Sequence, residues 1–201
     1  MLELLDWRRT IAEMYQAVRV GNGSAEACAN FRRAKDDLFR THAQSPLDEA
    51  QKATFAGLPY YDYDPAYRVR VRLNTEVEQT VLDIELGDDG RFRCTRFGQV
   101  TFTLPTGTGS LSVYWINGYG GGVFLPFGDA TNRQTTYGAG RYLYDTIKGA
   151  DLGTADDDIT LDFNYAYHPS CAYNIRWVCP LAPVENRLPF PIPAGERLVP
   201  K

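Results

Sequence analysis

The sequence predicts a mainly β domain, an antiparallel curled sheet, sandwich or barrel-like arrangement preceded by two to three helices. Residues 1–56 place apolar side chains at helical spacing, whereas from Gly57-Leu58-Pro59 onward β-branched and aromatic residues alternate with period two between glycines. The later runs follow one another at hairpin distance with no helical pattern between them, which dictates antiparallel pairing. Whether the sheet closes depends on strand tilt and stagger, which alternation does not encode, so sandwich and barrel both stay open. The 201 residues suffice for one core and make a single domain: 1–56 helical, 57–179 β, and 180–201 a proline-rich tail packed on the rest.

Leu4, Trp7, Ile11, Met14 and Val18 recur three and four apart, the stripe of an amphipathic first helix that Gly21-Asn22-Gly23 stops. Ser24 is the N-cap of a second helix with Cys28, Phe31, Ala34 and Leu38 on its apolar face. Ser45-Pro46 predicts a short third helix ending near Phe55, and His42 suits the C-terminal end of the second. Strands are expected at 68–73, 77–86, 92–96, 99–104, 110–116, 123–126, 141–145 and 159–163, with Asp88-Asp89-Gly90 as a hairpin turn. Six of the twelve prolines fall after residue 179, so the tail should run extended over the surface, with Leu181, Leu188, Phe190 and Ile192 tying it down.

Charge and hydropathy exclude several functions. Twenty-one basic against twenty-five acidic residues give −4, and no Lys/Arg stripe forms, so no nucleic acid partner is expected. Arg68, Arg70 and Arg72 alternate with Val69, Val71 and Leu73, as on the solvated face of a strand. No apolar run reaches membrane-spanning length, so no membrane partner is expected either. The N-terminal residues lack the pattern of a secretory signal and four cysteines are too few for a disulfide scaffold, which together predict a cytoplasmic protein. The apolar stripe of the first helix makes a homo-oligomer possible.

Pro126-Phe127-Gly128-Asp129-Ala130-Thr131, followed by Thr136-Tyr137-Gly138-Ala139-Gly140-Arg141-Tyr142, resembles the signature of an uncharacterised prokaryotic family, domain of unknown function 1684. The similarity continues through Leu161-Asp162-Phe163-Asn164-Tyr165-Ala166-Tyr167, Pro169-Ser170-Cys171-Ala172-Tyr173-Asn174, Cys179-Pro180-Leu181 and Glu185-Asn186-Arg187-Leu188. Arg40-Thr41-His42, Ser45-Pro46-Leu47 and Gly57-Leu58-Pro59-Tyr60 extend it toward the N-terminus. The resemblance implies a shared fold and no activity. It also implies asparagine in many relatives where this chain has His168, which argues against a family-wide imidazole mechanism.

Candidate chemistry lies between Tyr137 and Asn186, where polar and aromatic residues crowd without an amphipathic repeat. Asp129, Asp162 and Tyr137 are the catalytic candidates; Arg141, Asn164, Tyr167 and Tyr173 are the ligand-binding ones, with Arg141 as an anion anchor. Should these groups converge, the domain is an enzyme or a noncatalytic binding module for a small polar or anionic ligand in an aromatic-lined pocket; a structural role through the first helix is the third possibility. Cys171 and Cys179 read first as packed thiols or a loop-closing disulfide; a thiol nucleophile activated by His168 and a metal site with His168 and Asp162 are the weaker alternatives, because paired C-x-x-C spacing is missing. No motif points to a particular cofactor. Gly118-Tyr119-Gly120-Gly121-Gly122 joins two strands rather than strand and helix, which fits a hairpin loop or pocket lid and not a phosphate cradle.

Overall fold

The computed structural model describes residues 1–87 and 90–198, so Pro200 and most of the Asp88-Asp89-Gly90 turn lie outside the described residues. Helix α1 spans Leu2–Val20, α2 Ala25–Thr41 and α3 Glu49–Ala53. The Ser24 side chain accepts from the Ala27 N–H and starts α2 as its cap. The third helix begins later than Ser45 would place it. Asp48 and Gln51 form a reciprocal capping box there, while the Ser45 hydroxyl donates to the Phe39 carbonyl at 2.6 Å and so belongs to the turn.

Among the described residues eight strands follow: β1 Arg68–Arg72, β2 Val81–Glu85, β3 Arg91–Leu104, β4 Gly107–Ile116, β5 Gly122–Phe127, β6 Arg141–Asp145, β7 Thr154–Ala155 and β8 Asp158–Asp162. They pair antiparallel as a five-stranded meander, β2-β3-β4-β5-β6, and a three-stranded sheet, β1-β8-β7; neither closes into a barrel. With helices of 19 and 17 residues alongside, the domain is mostly strand but not all-β. Sequence patterning splits β3 in two because its register shifts between Arg96 and Gly98, and a bulge interrupts alternation. Gly98 fits that bulge: a Cβ there would come within 2.7 Å of the Leu73 side chain.

The main core lies where α1 and α2 meet the sheets. Ile11, Met14, Tyr15 and Val18 of α1 and Cys28, Phe31 and Leu38 of α2 pack with Leu111, Leu125, Leu143, Leu161 and Phe163. The α1 stripe offered above as an assembly surface is therefore largely consumed inside the domain; Leu4, at its N-terminal end, remains 40% exposed. On α2 the buried position is Lys35, and Ala34 is exposed, a one-residue error in the expected face that bears directly on the site. Among the described residues no helix is long and apolar enough to cross a membrane.

The proline-rich segment departs from a uniformly extended surface run. It makes a 3-10 turn at Val184–Asn186, and Ala182, Asn186, Leu188, Ile192, Ala194 and Glu196 are buried. Asn186 shows why: its amide donates to the Ser112 and Pro126 carbonyls and its oxygen accepts from the Ser112 N–H, satisfying β4 and β5 backbone at 2.7–2.9 Å.

Candidate functional site

The sequence-derived candidates separate into two hydrogen-bonded pairs and an aromatic wall. Arg141, at the start of β6, is fully buried. Its Nη2 donates to Asp129 Oδ2 and the Ile192 carbonyl, both at 2.8 Å, and its Nη1 donates to the carbonyls of Ala194 and Glu196. Asp129 Oδ1 accepts from the Thr131 N–H at 2.7 Å and the Thr131 hydroxyl. The guanidinium thus clasps the C-terminal segment rather than facing a cavity, and an anchor for an outside anion is not what its geometry supplies. Sequence order could not reveal this, since its partners are backbone carbonyls some fifty residues away.

Asp162 and Asn164 form the second pair. Asp162 Oδ1 accepts from both the backbone and side-chain N–H of Asn164, and the Asn164 amide clamps Asp64 through that residue's N–H and carbonyl. Asp162 Oδ2, 3.4 Å from Arg68 Nε, has no hydrogen bond among the described residues. Burial pushes the Asp162 carboxyl up to about 6, against the pull of Asn164 and Arg68. Between about pH 4 and 6 the folded chain then holds a proton that the unfolded chain has released, so this group's contribution to stability falls as pH rises through that window. Asp162→Asn is accordingly expected to be more stable than the parent at pH 7, by about 1–3 kcal/mol, and to lose that advantage at pH 4. Urea unfolding at the two pH values measures it.

Tyr167 and Tyr173 line a cavity of about 80 Å³ between α1, α2 and the 167–173 segment. Trp7, Tyr15, Phe31, Phe39 and Tyr142 supply more of its wall, and Lys35, Asp145, Lys148, His168 and Ser170 are the main polar groups on it. Lys35 is only 5% exposed and donates to Glu196 Oε1 at 2.5 Å. Its ammonium lies 4.6 Å from the Tyr167 ring centroid and 5.5 Å from that of Phe39. Glu196 Oε2 accepts from the His168 N–H at 2.8 Å and the Tyr173 hydroxyl at 2.5 Å. Burial is the largest influence on Glu196 and would raise it, but the Lys35 charge, the nearby His168 and the hydrogen bonds from Lys35 and Tyr173 together hold the carboxyl below its ordinary value. Gly195 makes the turn that delivers Glu196: its φ is +77°, and a Cβ there would sit 2.5 Å from the Ala166 carbonyl oxygen.

Lys35 and Glu196 are absent from the sequence-derived candidates. A signal for Lys35 existed: Cys28, Phe31, Lys35 and Leu38 are spaced three, four, three, which puts a lysine on the buried stripe. Glu196 had none, because a glutamate in a proline-rich tail reads as solvated.

His168 is kept neutral. Burial lowers it to about 4, and its Nε2 accepts the Tyr137 N–H at 3.2 Å. Tyr137 itself is not on the cavity wall. Cys171 and Cys179 are free thiols. Hydrogen bonding from Cys179 and then Tyr137 outweighs burial and draws Cys171 down to about 6. Asp162 belongs to the Asn164 pair, so the four residues considered for metal do not gather; among the described residues no three His, Cys, Asp or Glu side chains group to hold an ion. His42 is the C-cap of α2, with Nδ1 accepting the Gln44 N–H. The glycine loop after β4 leaves Tyr119 fully exposed and contributes no residue to the wall of the Lys35 cavity, so a lid role has no support in its position.

A family model described as a protein of unknown function, DUF1684, matches residues 53–197. An uncharacterized protein of Haloarcula marismortui, solved by solution NMR, is similar at 37% identity over 85% of this chain and 91% of its own, with a TM-score of 0.63. No curated protein matches.

Proposed function

Since the chain belongs to the DUF1684 family, which is described as of unknown function, we propose from geometry that the domain binds a small molecule carrying a carboxylate or carbonyl, held by Lys35 in the aromatic-walled cavity. One observation carries this reading. The Lys35 ammonium has three donors, its acceptor among the described residues is Glu196, and the group lines the cavity, so donors remain for a guest. The surrounding rings offer apolar faces for the rest of that guest and a desolvated setting in which a charge-assisted hydrogen bond is strong.

Binding without conversion is the form of the proposal. His168 Nε2 is occupied by the Tyr137 N–H, and Cys171, the thiol poised to ionise, is not on the cavity wall. Apart from the tyrosines, the other ionisable or nucleophilic groups on the wall are Asp145, Lys148, Ser170 and Cys179, and of these Asp145 and Lys148 are paired with each other at 3.1 Å.

The test fills the cavity instead of breaking the ion pair. Ala150 is 2% exposed and on the cavity wall, so Ala150→Val should occupy the space with two methyl groups. A panel of small carboxylates and amides should raise the melting temperature of the parent and leave the variant unmoved, with the unliganded variant melting no lower than the parent. Equal shifts in both proteins would place binding elsewhere, and no shift in the parent from any acceptor-bearing probe would remove the proposal.

A further inference from the structure

A second chamber borders the first. Its volume is about 390 Å³, and its wall includes Leu4, Phe92, Ile116, Phe124, Ile147 and Val178. Five residues, Trp7, Asp145, Lys148, Ser170 and Cys179, belong to both cavities. The apolar surfaces also connect: Tyr142, on the inner wall, packs edge-on against Phe124 of the outer chamber with centroids 4.9 Å apart.

Size sets what each space can hold. An apolar cavity of about 150 Å³ accommodates a single benzene, so the inner space of about 80 Å³ takes a polar head and a few carbons at most. Anything longer must pass the shared residues into a chamber whose walls are mainly aliphatic and aromatic. We infer that the ligand is amphipathic: a straight-chain carboxylate whose head meets Lys35 and whose alkyl tail fills the outer chamber. This rests on the binding reading above and specifies its ligand class. The outer chamber suits hydrocarbon because burying methylene groups against Leu4, Phe92, Ile116, Phe124, Ile147 and Val178 releases their hydration, while Lys148, 3.1 Å from Asp145, is neutralised at the junction and Arg8 and Gln44 also stand on the wall.

Titration calorimetry with butyrate, hexanoate and octanoate, each below its micellar concentration, decides the matter. Affinity should rise about three- to fourfold for each added methylene, so that octanoate, four methylenes longer, binds about 80- to 250-fold tighter than butyrate. Leu4 is 40% and Val178 49% exposed, so the double variant Leu4→Asn/Val178→Asn makes the chamber polar while sparing the core. It should weaken octanoate about tenfold and leave butyrate within about twofold. Affinity independent of chain length, but abolished by Ala150→Val, would overturn the amphipathic assignment and leave the binding reading standing. Equal weakening of both acids by the double variant, or none, would also overturn it. Absence of heat from all three acids, with neutral amides still stabilising the parent, would exclude carboxylates while the reading survives; absence of binding by every probe would sink both.

Discussion

Arg141→Met should destabilise the fold by about 3–5 kcal/mol, the cost of leaving a buried carboxylate without its cation. Asp129 would keep its bonds to Thr131 but lose the partner of Oδ2, and the carbonyls of Ile192, Ala194 and Glu196 would lose their donors in a region sealed from water. Arg141→Lys should recover only part of the loss, since a single ammonium with three donors cannot span four acceptors arranged for a planar fork. Removing both charges separates the causes: Asp129→Asn in the Arg141→Met background should restore some stability by abolishing the unpaired carboxylate, while the three carbonyls stay unsatisfied. Guanidinium unfolding gives the free energies. Limited proteolysis should find the 187–198 segment cut far sooner in Arg141→Met than in the parent, and equal cutting would mean that other contacts hold that segment in place.

That clasp marks the boundary of what the sequence could tell. Strand runs such as 68–73, 141–145 and 159–163 were legible because each is a local pattern, and β1, β6 and β8 fall within a residue of them. Ser24 was legible for the same reason, as a cap acts on an N–H three residues away. The bulge in β3 and the Asp48 box shifted boundaries, since the first breaks alternation and the second competes with a nearby Ser-Pro signal. Site residues are decided over longer distances. Asp129 and Arg141 both stand among the sequence-derived candidates, as a catalytic candidate and an anion anchor, and their side chains meet at 2.8 Å, but their orientation toward the tail depends on Ile192, Ala194 and Glu196, and nothing local to residue 141 encodes those. Tyr167 and Tyr173 reach the cavity wall. Lys35 was hidden by a one-position choice of helix face, and Glu196, 161 residues away from it, could be found only in three dimensions.

Lys35→Met tests that long-range pair and should cost about 3–5 kcal/mol at pH 7. Methionine keeps much of the stem that packs over Tyr167, so the loss would come chiefly from Glu196, buried with its charge no longer compensated. The pH dependence identifies the cause. In the parent, Glu196 titrates below its ordinary value, so its contribution to stability is complete above about pH 4.5 and fades as pH falls through the lowered folded value. Without Lys35 the balance reverses: burial then raises the carboxyl, the folded state takes up a proton more readily than the unfolded one, and the variant's deficit should shrink as pH falls from 7 toward 5. Lys35→Met/Glu196→Gln should be more stable at pH 7 than Lys35→Met alone, because a neutral amide can still accept from the His168 N–H without carrying an unpaired charge. The double variant also separates architecture from binding. If it folds with a melting temperature near that of the parent yet no longer responds to small carboxylates, the ammonium acts on the guest as well as on Glu196; if it still responds fully, the lysine is a structural pin and the cavity recognises its ligand by its rings alone.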